Sequence, residues 1–176
     1  MRSRKFIYSI FLTLSLVSGY AEFIYGANAV SQTKTAVSQT AVKSDFDKAV
    51  EVIMKYEGLH KNKGNLVGYG HKILKGEPYK VNQTLSQAEA EKLLRKDLTK
   101  LCETYRSFGK DSLLLATLAY NCGIGTVAKS SVYKKLQAGN RNIKDAYLSY
   151  CKANGKTLSQ LKRRRIEEFE TLFIKD

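Results

Sequence analysis

Apolar side chains recur at the three- and four-residue spacing of an α-helix in six stretches of the chain. In the first stretch they follow Ser44, a residue type that caps helix N-termini, and the pattern ends at Tyr56 or Glu57. Gly58 stands where a left-handed residue commonly closes a helix. The other predicted helices are Ser86–Arg106, Asp111–Asn121, Ser131–Gln137, Ile143–Lys152 and Ser159–Phe173.

One of these six helices and one further segment differ from the amphipathic pattern of the rest. Residues 111–121 are apolar nearly all round, which predicts a helix buried in the middle of the fold, ended by Gly123 and Gly125. Between residues 59 and 81 the periodicity vanishes, and Gly, Asn, Lys and the only proline separate short apolar pieces. That segment predicts a small, irregular β-hairpin lobe. The predicted fold class is therefore α+β, mostly α, with a helical lobe around a buried central helix.

The beginning of the chain has a different character. Residues 1–29 combine a basic end, an apolar run and the small residues Ala27-Asn28-Ala29, which is the pattern of a cleaved secretory signal peptide. The apolar run is too short to favour a membrane anchor. Residues 30–44 are polar and repetitive, as in a flexible linker, so the folded domain is predicted at 45–176 and the protein is expected to be secreted or periplasmic.

Charge and cysteine content narrow the choice of partner. The formal net charge is +14, and removing residues 1–29, with three basic residues and one acid, leaves +12. Such a charge favours a polyanionic partner, with simple solubility as the alternative; for an exported protein that partner is the wall or envelope more than nucleic acid. The basic run 162–165 suits phosphates equally well. The odd number of cysteines, Cys102, Cys122 and Cys151, predicts buried thiols more readily than a disulfide framework.

The candidate chemistry is concentrated in one short segment. Glu57, both histidines of the chain (His60 and His71) and four glycines lie within residues 57–71. A carboxylate at a helix C-terminus faces the negative end of the helix dipole, and partial burial adds to the cost of its charge. Both effects suit an acid that must keep its proton, although an ordinary surface glutamate has the same position.

These residues also resemble a known family. Glu57-Gly58-Leu59 followed by Gly68-Tyr69-Gly70-His71 is similar to the active-site segment of phage-type lysozymes, glycoside hydrolase family 24. Three further segments match that family in the right order. They are the helix segment at 85–98, Ala-Tyr-Asn-x-Gly-x-Gly at 119–125 and Arg-Arg-x-x-Glu at 164–168. The sequence most resembles lysozyme-like proteins of the Bacteroidota, some of which are carried with conjugal-transfer systems.

The resemblance implies a lysozyme-like fold that hydrolyses the β-1,4 bond between N-acetylmuramic acid and N-acetylglucosamine in peptidoglycan. Glu57 is then the general acid, and no cofactor or metal is needed. The implied partners are peptidoglycan glycan strands and, through the conjugal relatives, a conjugation or secretion apparatus. We expect a monomer, without nucleic acid and without a membrane span once the signal peptide is cleaved.

The segment departs from the family pattern as well. The hairpin is six residues shorter, so the position of the usual catalytic Asp holds His60 and that of the usual Thr holds Leu66. A neutral His60 can act as a base toward water, or it is a solvated loop histidine. The alternatives are a catalytically impaired peptidoglycan-binding module, a lytic transglycosylase that uses Glu57 alone, and a basic nucleic-acid binder.

Five other residues complete the predicted site. His71 is similar to a structural histidine of the family that pairs with an aspartate of the next helix, here Asp97. Tyr69 is expected to line the sugar cleft, with a packed hairpin tyrosine as the alternative. Asn121 is expected to face the cleft or to cap its own helix, and Arg164 to hold Glu57 in place.

Overall fold

The computed structural model describes residues 42–153 and 155–175. The predicted signal peptide at 1–29 and most of the predicted linker at 30–44 lie outside these residues. In the described ranges, no helix has both the length and the apolar content that a membrane crossing requires.

The described residues form a mostly helical fold with two small antiparallel sheets. The helices are α1 (Asp45–Glu57), α2 (Gln87–Thr104), α3 (Ser112–Cys122), α4 (Ile124–Ala128), α5 (Ser131–Gln137), α6 (Lys144–Leu148) and α7 (Ser159–Leu172). The strands are β1 (His60–Lys63), β2 (Leu66–Gly68), β3 (His71–Lys72), β4 (Lys152–Ala153) and β5 (Lys156–Thr157). A 3-10 segment, Arg106–Asp111, connects α2 to α3.

Helix α1 begins and ends as its sequence predicts. The Ser44 hydroxyl accepts a hydrogen bond of 3.1 Å from the backbone N–H of Asp47, which satisfies one of the free donors of the first turn. At the other end Gly58 has φ 66°, a conformation that side chains disfavour, and its N–H donates to the Met54 carbonyl. The helix therefore stops immediately after Glu57 and leaves this carboxylate at its C-terminus.

The β lobe is a three-stranded sheet in the order β1-β2-β3. His60 pairs with Gly68, and Val67 pairs with His71, with residues 68–70 between them. A Cβ on Gly68 would lie 3.2 Å from the Cβ of Ala90, so the glycine lets β2 approach α2 closely. This contact fixes the β lobe against the helical lobe.

The central helix is α3, as predicted. Its residues Leu114 to Ala119 are all buried, and it packs against α1, α2 and α7. Burying the apolar surface of these helices is the main favourable contribution to the fold. A capping box is present at the start of α2, with reciprocal bonds between Ser86 and Glu89.

Several predicted boundaries are wrong. Helix α2 ends at Thr104, because the chain tightens into the 3-10 segment. Gly125 lies inside α4 instead of ending α3, so Gly123 alone marks that end. Helix α6 is shorter than predicted, and the chain after it forms the β4–β5 hairpin.

Helix α7 buries three charged residues. Arg164 is 2% exposed, and Arg165 and Glu168 are fully buried. The interpretation of 162–165 as a run of cations facing phosphates is therefore wrong for its last two members, Arg164 and Arg165, which are buried in the protein.

Candidate active site

Glu57 lies where α1, α3 and α7 meet. Its Oε1 accepts a hydrogen bond of 2.7 Å from Nη1 of Arg164 and a long one of 3.4 Å from Nδ2 of Asn121. The side chain keeps about a fifth of its surface exposed, at 20%. One carboxylate oxygen is thus fixed, as the predicted role of Arg164 requires, and the side chain still reaches solvent.

The second oxygen of Glu57 faces the turn of the β lobe. A Cβ built on Gly70 would lie 3.7 Å from Glu57 Oε2 and 3.9 Å from His60 Cε1. Gly70 has φ 100°, which a residue with a side chain adopts only under strain. Glu57 and His60 therefore flank the same glycine, as their closeness in the sequence suggests.

His60 differs from Glu57 in how its polar atoms are bonded. Its Nδ1 is buried and has no hydrogen-bond partner among the described residues. Buried polar atoms are normally paired, and unpaired ones often mark functional sites. The structure thus puts His60 beside the glutamate instead of on a solvated loop.

A groove of about 450 Å³ begins at Gly70 and runs between the β lobe and the helical lobe. Its lining combines apolar and charged side chains, among them Lys72, Leu74, Lys100, Leu101, Tyr120 and Ile124. The Tyr120 hydroxyl donates a 3.1 Å hydrogen bond to the Tyr69 carbonyl, and burial raises the pKa of Tyr120 well above its usual value. A larger cavity, of about 650 Å³, lies between α1 and α7 but contains neither Gly70 nor Glu57.

Tyr69 does not line this groove. Its side chain is 5% exposed and belongs to the hydrophobic core, so the prediction that it contacts sugar is wrong. The physical reason is packing, because the turn directs the ring inward beneath the sheet and leaves only the carbonyl toward Tyr120. Tyr120 is the aromatic residue of the groove, and the sequence offered no periodic signal for it within the nearly uniform apolar helix α3.

A buried polar network lies behind Glu57. Glu168 Oε1 accepts a 2.8 Å bond from Arg164 Nε, and Glu168 Oε2 accepts one of 2.8 Å from the Tyr147 hydroxyl. Arg165 Nη1 is 3.0 Å from Glu168 Oε2, and Arg165 Nη2 donates to Asn121 Oδ1 at 2.9 Å. Although burial lowers the pKa of Arg164, the attraction of Glu168 and Glu57 outweighs this effect and raises the pKa above its usual value. Asn121 is thus bound within the network.

The predicted contact between His71 and Asp97 is present, with 2.6 Å between Nδ1 and Oδ2. Nε2 of the same ring lies 2.8 Å from Glu77 Oε2, a second contact that no sequence period indicated. Burial lowers the pKa of His71, yet the hydrogen bonds with Glu77 and Asp97 outweigh it and raise the pKa overall. The bonds from His71 and the Leu74 N–H lower the pKa of Glu77. His71 therefore joins the rim of the groove to α2 and does not face Glu57.

All three cysteines are free thiols, with Cys151 buried and Cys102 and Cys122 partly buried. Burial raises the pKa of Cys102 and Cys122, which makes both poor nucleophiles. In residues 42–153 and 155–175, no cluster of three His, Cys, Asp or Glu side chains is arranged to hold a metal ion.

Comparisons with known proteins agree with this architecture. The phage lysozyme family model matches residues 54–168. An endolysin of Bacillus phage B103 is 32% identical over 131 residues, which cover 68% of this chain and 46% of that protein. The chain thus spans about half the length of this curated relative.

Two solved structures have a similar fold. The muramidase domain of SpmX from Asticaccaulis excentricus superposes with a TM-score of 0.60 at 23% identity, covering 73% of this chain and 96% of that one. The endolysin from Escherichia coli O157:H7 phage FAHEc1 gives a TM-score of 0.58 at 24% identity, covering 72% and 90%.

Proposed function

The chain belongs to the phage lysozyme family, and we propose that it cleaves peptidoglycan glycan strands at the β-1,4 bond between N-acetylmuramic acid and N-acetylglucosamine. Glu57 acts as the general acid. The observation that supports this role most is the contrast between its two oxygens, one bound to Arg164 and the other facing Gly70. An acid that must deliver a proton needs one oxygen fixed for orientation and one accessible to substrate.

The groove beside Gly70 supplies a binding surface of the right kind. Glycan strands offer hydroxyl and amide groups together with apolar sugar faces, which match a lining of lysines, leucines and an aromatic ring. A strand that lies in this groove passes the turn at Gly70, where Glu57 Oε2 is nearest. The proton then moves from Oε2 to the oxygen that links the two sugars, and that bond breaks as an oxocarbenium-like centre forms.

His60 is the second group of the proposed site. Residues 58–76 contain no Asp or Glu, so the hairpin offers no second carboxylate to activate water. His60 flanks Gly70, and a neutral imidazole has one ring nitrogen that can accept a proton from water. In this scheme His60 directs water to the sugar carbon after Glu57 has protonated the leaving oxygen.

The same absence of an acid favours a second candidate function. A lytic transglycosylase works with one glutamate and closes a ring within the muramic acid instead of adding water. Mass spectrometry of the released fragments separates the two reactions, because hydrolysis gives reducing ends and transglycosylation gives anhydromuramyl ends. With hydrolysis, His60→Ala lowers the rate; with transglycosylation it leaves the anhydro products unchanged.

The test of the proposal is release of soluble fragments from purified sacculi by wild type, Glu57→Gln and Glu51→Gln. Glu51 lies exposed on the same helix, six residues before Glu57, and pairs with Lys43, so it controls for the loss of one negative charge. We expect activity in wild type and Glu51→Gln and its loss in Glu57→Gln. A wild-type protein that sediments with sacculi and releases nothing would establish the binding module instead.

The location and further partners are also proposals. Peptidoglycan lies outside the cytoplasmic membrane, which fits export through residues 1–29; N-terminal sequencing of the protein recovered outside the cytoplasm tests cleavage after Ala29. A role beside a conjugation or secretion apparatus rests on the sequence resemblance, and co-purification with such an apparatus tests it.

A further inference from the structure

Glu168 is a carboxylate that the proposed reaction does not use directly. It is fully buried, and both of its oxygens have partners. Oε1 binds Arg164, while Oε2 binds Tyr147 and lies 3.0 Å from Arg165. A buried glutamate is costly unless it is paired, so its place beside the candidate acid calls for a physical explanation.

Arg164 creates a conflict at the site. General acid catalysis requires Glu57 to be neutral before the reaction, but a guanidinium 2.7 Å from its Oε1 favours the ionised carboxylate. Arg165 adds a second positive charge, bonded to Asn121, which itself contacts Glu57. The two guanidinium groups thus place two positive charges around the candidate acid.

The negative charge of Glu168 partly offsets the positive charges of Arg164 and Arg165 within the same network. Arg164 contacts both glutamates, with Nε to Glu168 and Nη1 to Glu57. The two arginines and Glu168 together carry one positive charge, whereas the arginines alone carry two. Other titratable or charged groups surround this cluster: His60 on β1, Asp97 on α2, Tyr120 and Cys122 on α3, Tyr147 on α6, Tyr56 on α1 beneath Arg164, and Glu167 and Arg163 of α7 beside Tyr56.

We infer that Glu168 is a positioning residue for the reaction. It shares the Arg164 guanidinium with Glu57 and so sets the pH below which Glu57 delivers its proton. The inference rests on the proposed role of Glu57 as the acid. Glu168 never touches the glycan; it acts through Arg164, whose orientation and effective charge it fixes.

The test is the pH profile of kcat/KM for glycan cleavage. In Glu168→Gln the shape of the side chain is kept and its charge is lost, so the alkaline limb of the profile moves to lower pH by roughly 1 unit. Arg165→Met removes one cation and moves the limb to higher pH. The charge-balanced double variant Arg165→Met/Glu168→Gln returns the limb to within about half a unit of wild type.

Tyr147→Phe is the matched control, because it removes a hydrogen bond from Glu168 without changing any charge. We expect the alkaline limb of Tyr147→Phe to lie at the same pH as that of wild type, even if the melting temperature of the variant is lower. If Glu168→Gln does not fold, Arg165→Met alone decides the matter by the direction of its shift.

Two outcomes overturn the inference while the proposed function stands. The first is an alkaline limb that does not move in folded Glu168→Gln; if that variant does not fold, an unmoved limb in Arg165→Met has the same meaning. The second is a shift of the limb in Tyr147→Phe that is as large as the shift in Glu168→Gln. An inactive wild type, or full activity in Glu57→Gln, removes the proposed function and this inference with it.

Discussion

Replacing His71 by Gln removes a charge that joins the β lobe to α2. In the folded protein His71 contacts Asp97 at 2.6 Å and Glu77 at 2.8 Å, and the exposed fractions of these carboxylates are 18% and 22%. A hydrogen bond between charged groups contributes about 1.5–3 kcal/mol. Partial exposure and the cost of burying the imidazolium lower the sum of the two bonds, so we expect a loss of about 2 kcal/mol in the free energy of unfolding at mildly acidic pH.

The size of this loss depends on pH in a direction that the structure fixes. The folded-state pKa of His71 is raised above 6.5, so the stabilisation is complete below that value and declines as pH rises through the folded-state pKa. The neutral ring still donates one hydrogen bond, which leaves a residual difference. On the acid side, the pKa of Glu77 is lowered below 4.5, so its contribution is present above that value and is lost as pH falls through the lowered pKa.

Urea unfolding followed by circular dichroism measures the effect in wild type and His71→Gln. We expect the difference between the two proteins to be largest near about pH 5.5 and to fall by about half near pH 9. Glu103→Gln, an exposed change on the same helix as Asp97, serves as the control. A difference that stays constant between the two pH values would refute the charged clamp and leave His71 with a packing role only.

Three further changes test other parts of the structure. Leu118→Ala, at a fully buried position of α3, is expected to lower the unfolding free energy by about 3 kcal/mol in urea titrations; a loss below about 1 kcal/mol would contradict the central position of α3. Gly70→Ala adds a methyl group 3.7 Å from Glu57 Oε2 at φ 100°, so the rate on sacculi should fall at least tenfold while the protein stays folded by circular dichroism. His60→Gln should lower kcat by roughly a hundredfold if His60 activates water, and an unchanged kcat would exclude that role.

The sequence was sufficient where local chemistry determines the structure. The Ser44 cap and Gly58 fix both ends of α1, and they place Glu57 at a helix terminus without help from the rest of the chain. The nearly uniform apolar composition of 111–121 correctly predicted a buried helix. Glu57 and His60 are separated by only two residues, so their closeness beside Gly70 agrees with their positions in the sequence.

The sequence was insufficient where long-range packing decides. Tyr69 and Tyr120 have the same side chain, but the first packs into the hydrophobic core and the second lines the groove. The burial of Glu168 and Arg165 depends on contacts from α3 and α6, which no periodicity within α7 can reveal.

The most direct test of Glu57 as a proton donor compares two substrates that differ in whether the leaving group must be protonated. Peptidoglycan needs a proton on its leaving oxygen, whereas a dinitrophenyl glycoside of the wall disaccharide leaves without one. The account predicts that Glu57→Gln loses about a thousandfold or more on peptidoglycan and less than about tenfold on the aryl glycoside. An equal loss on both substrates, or no loss on peptidoglycan, would contradict it.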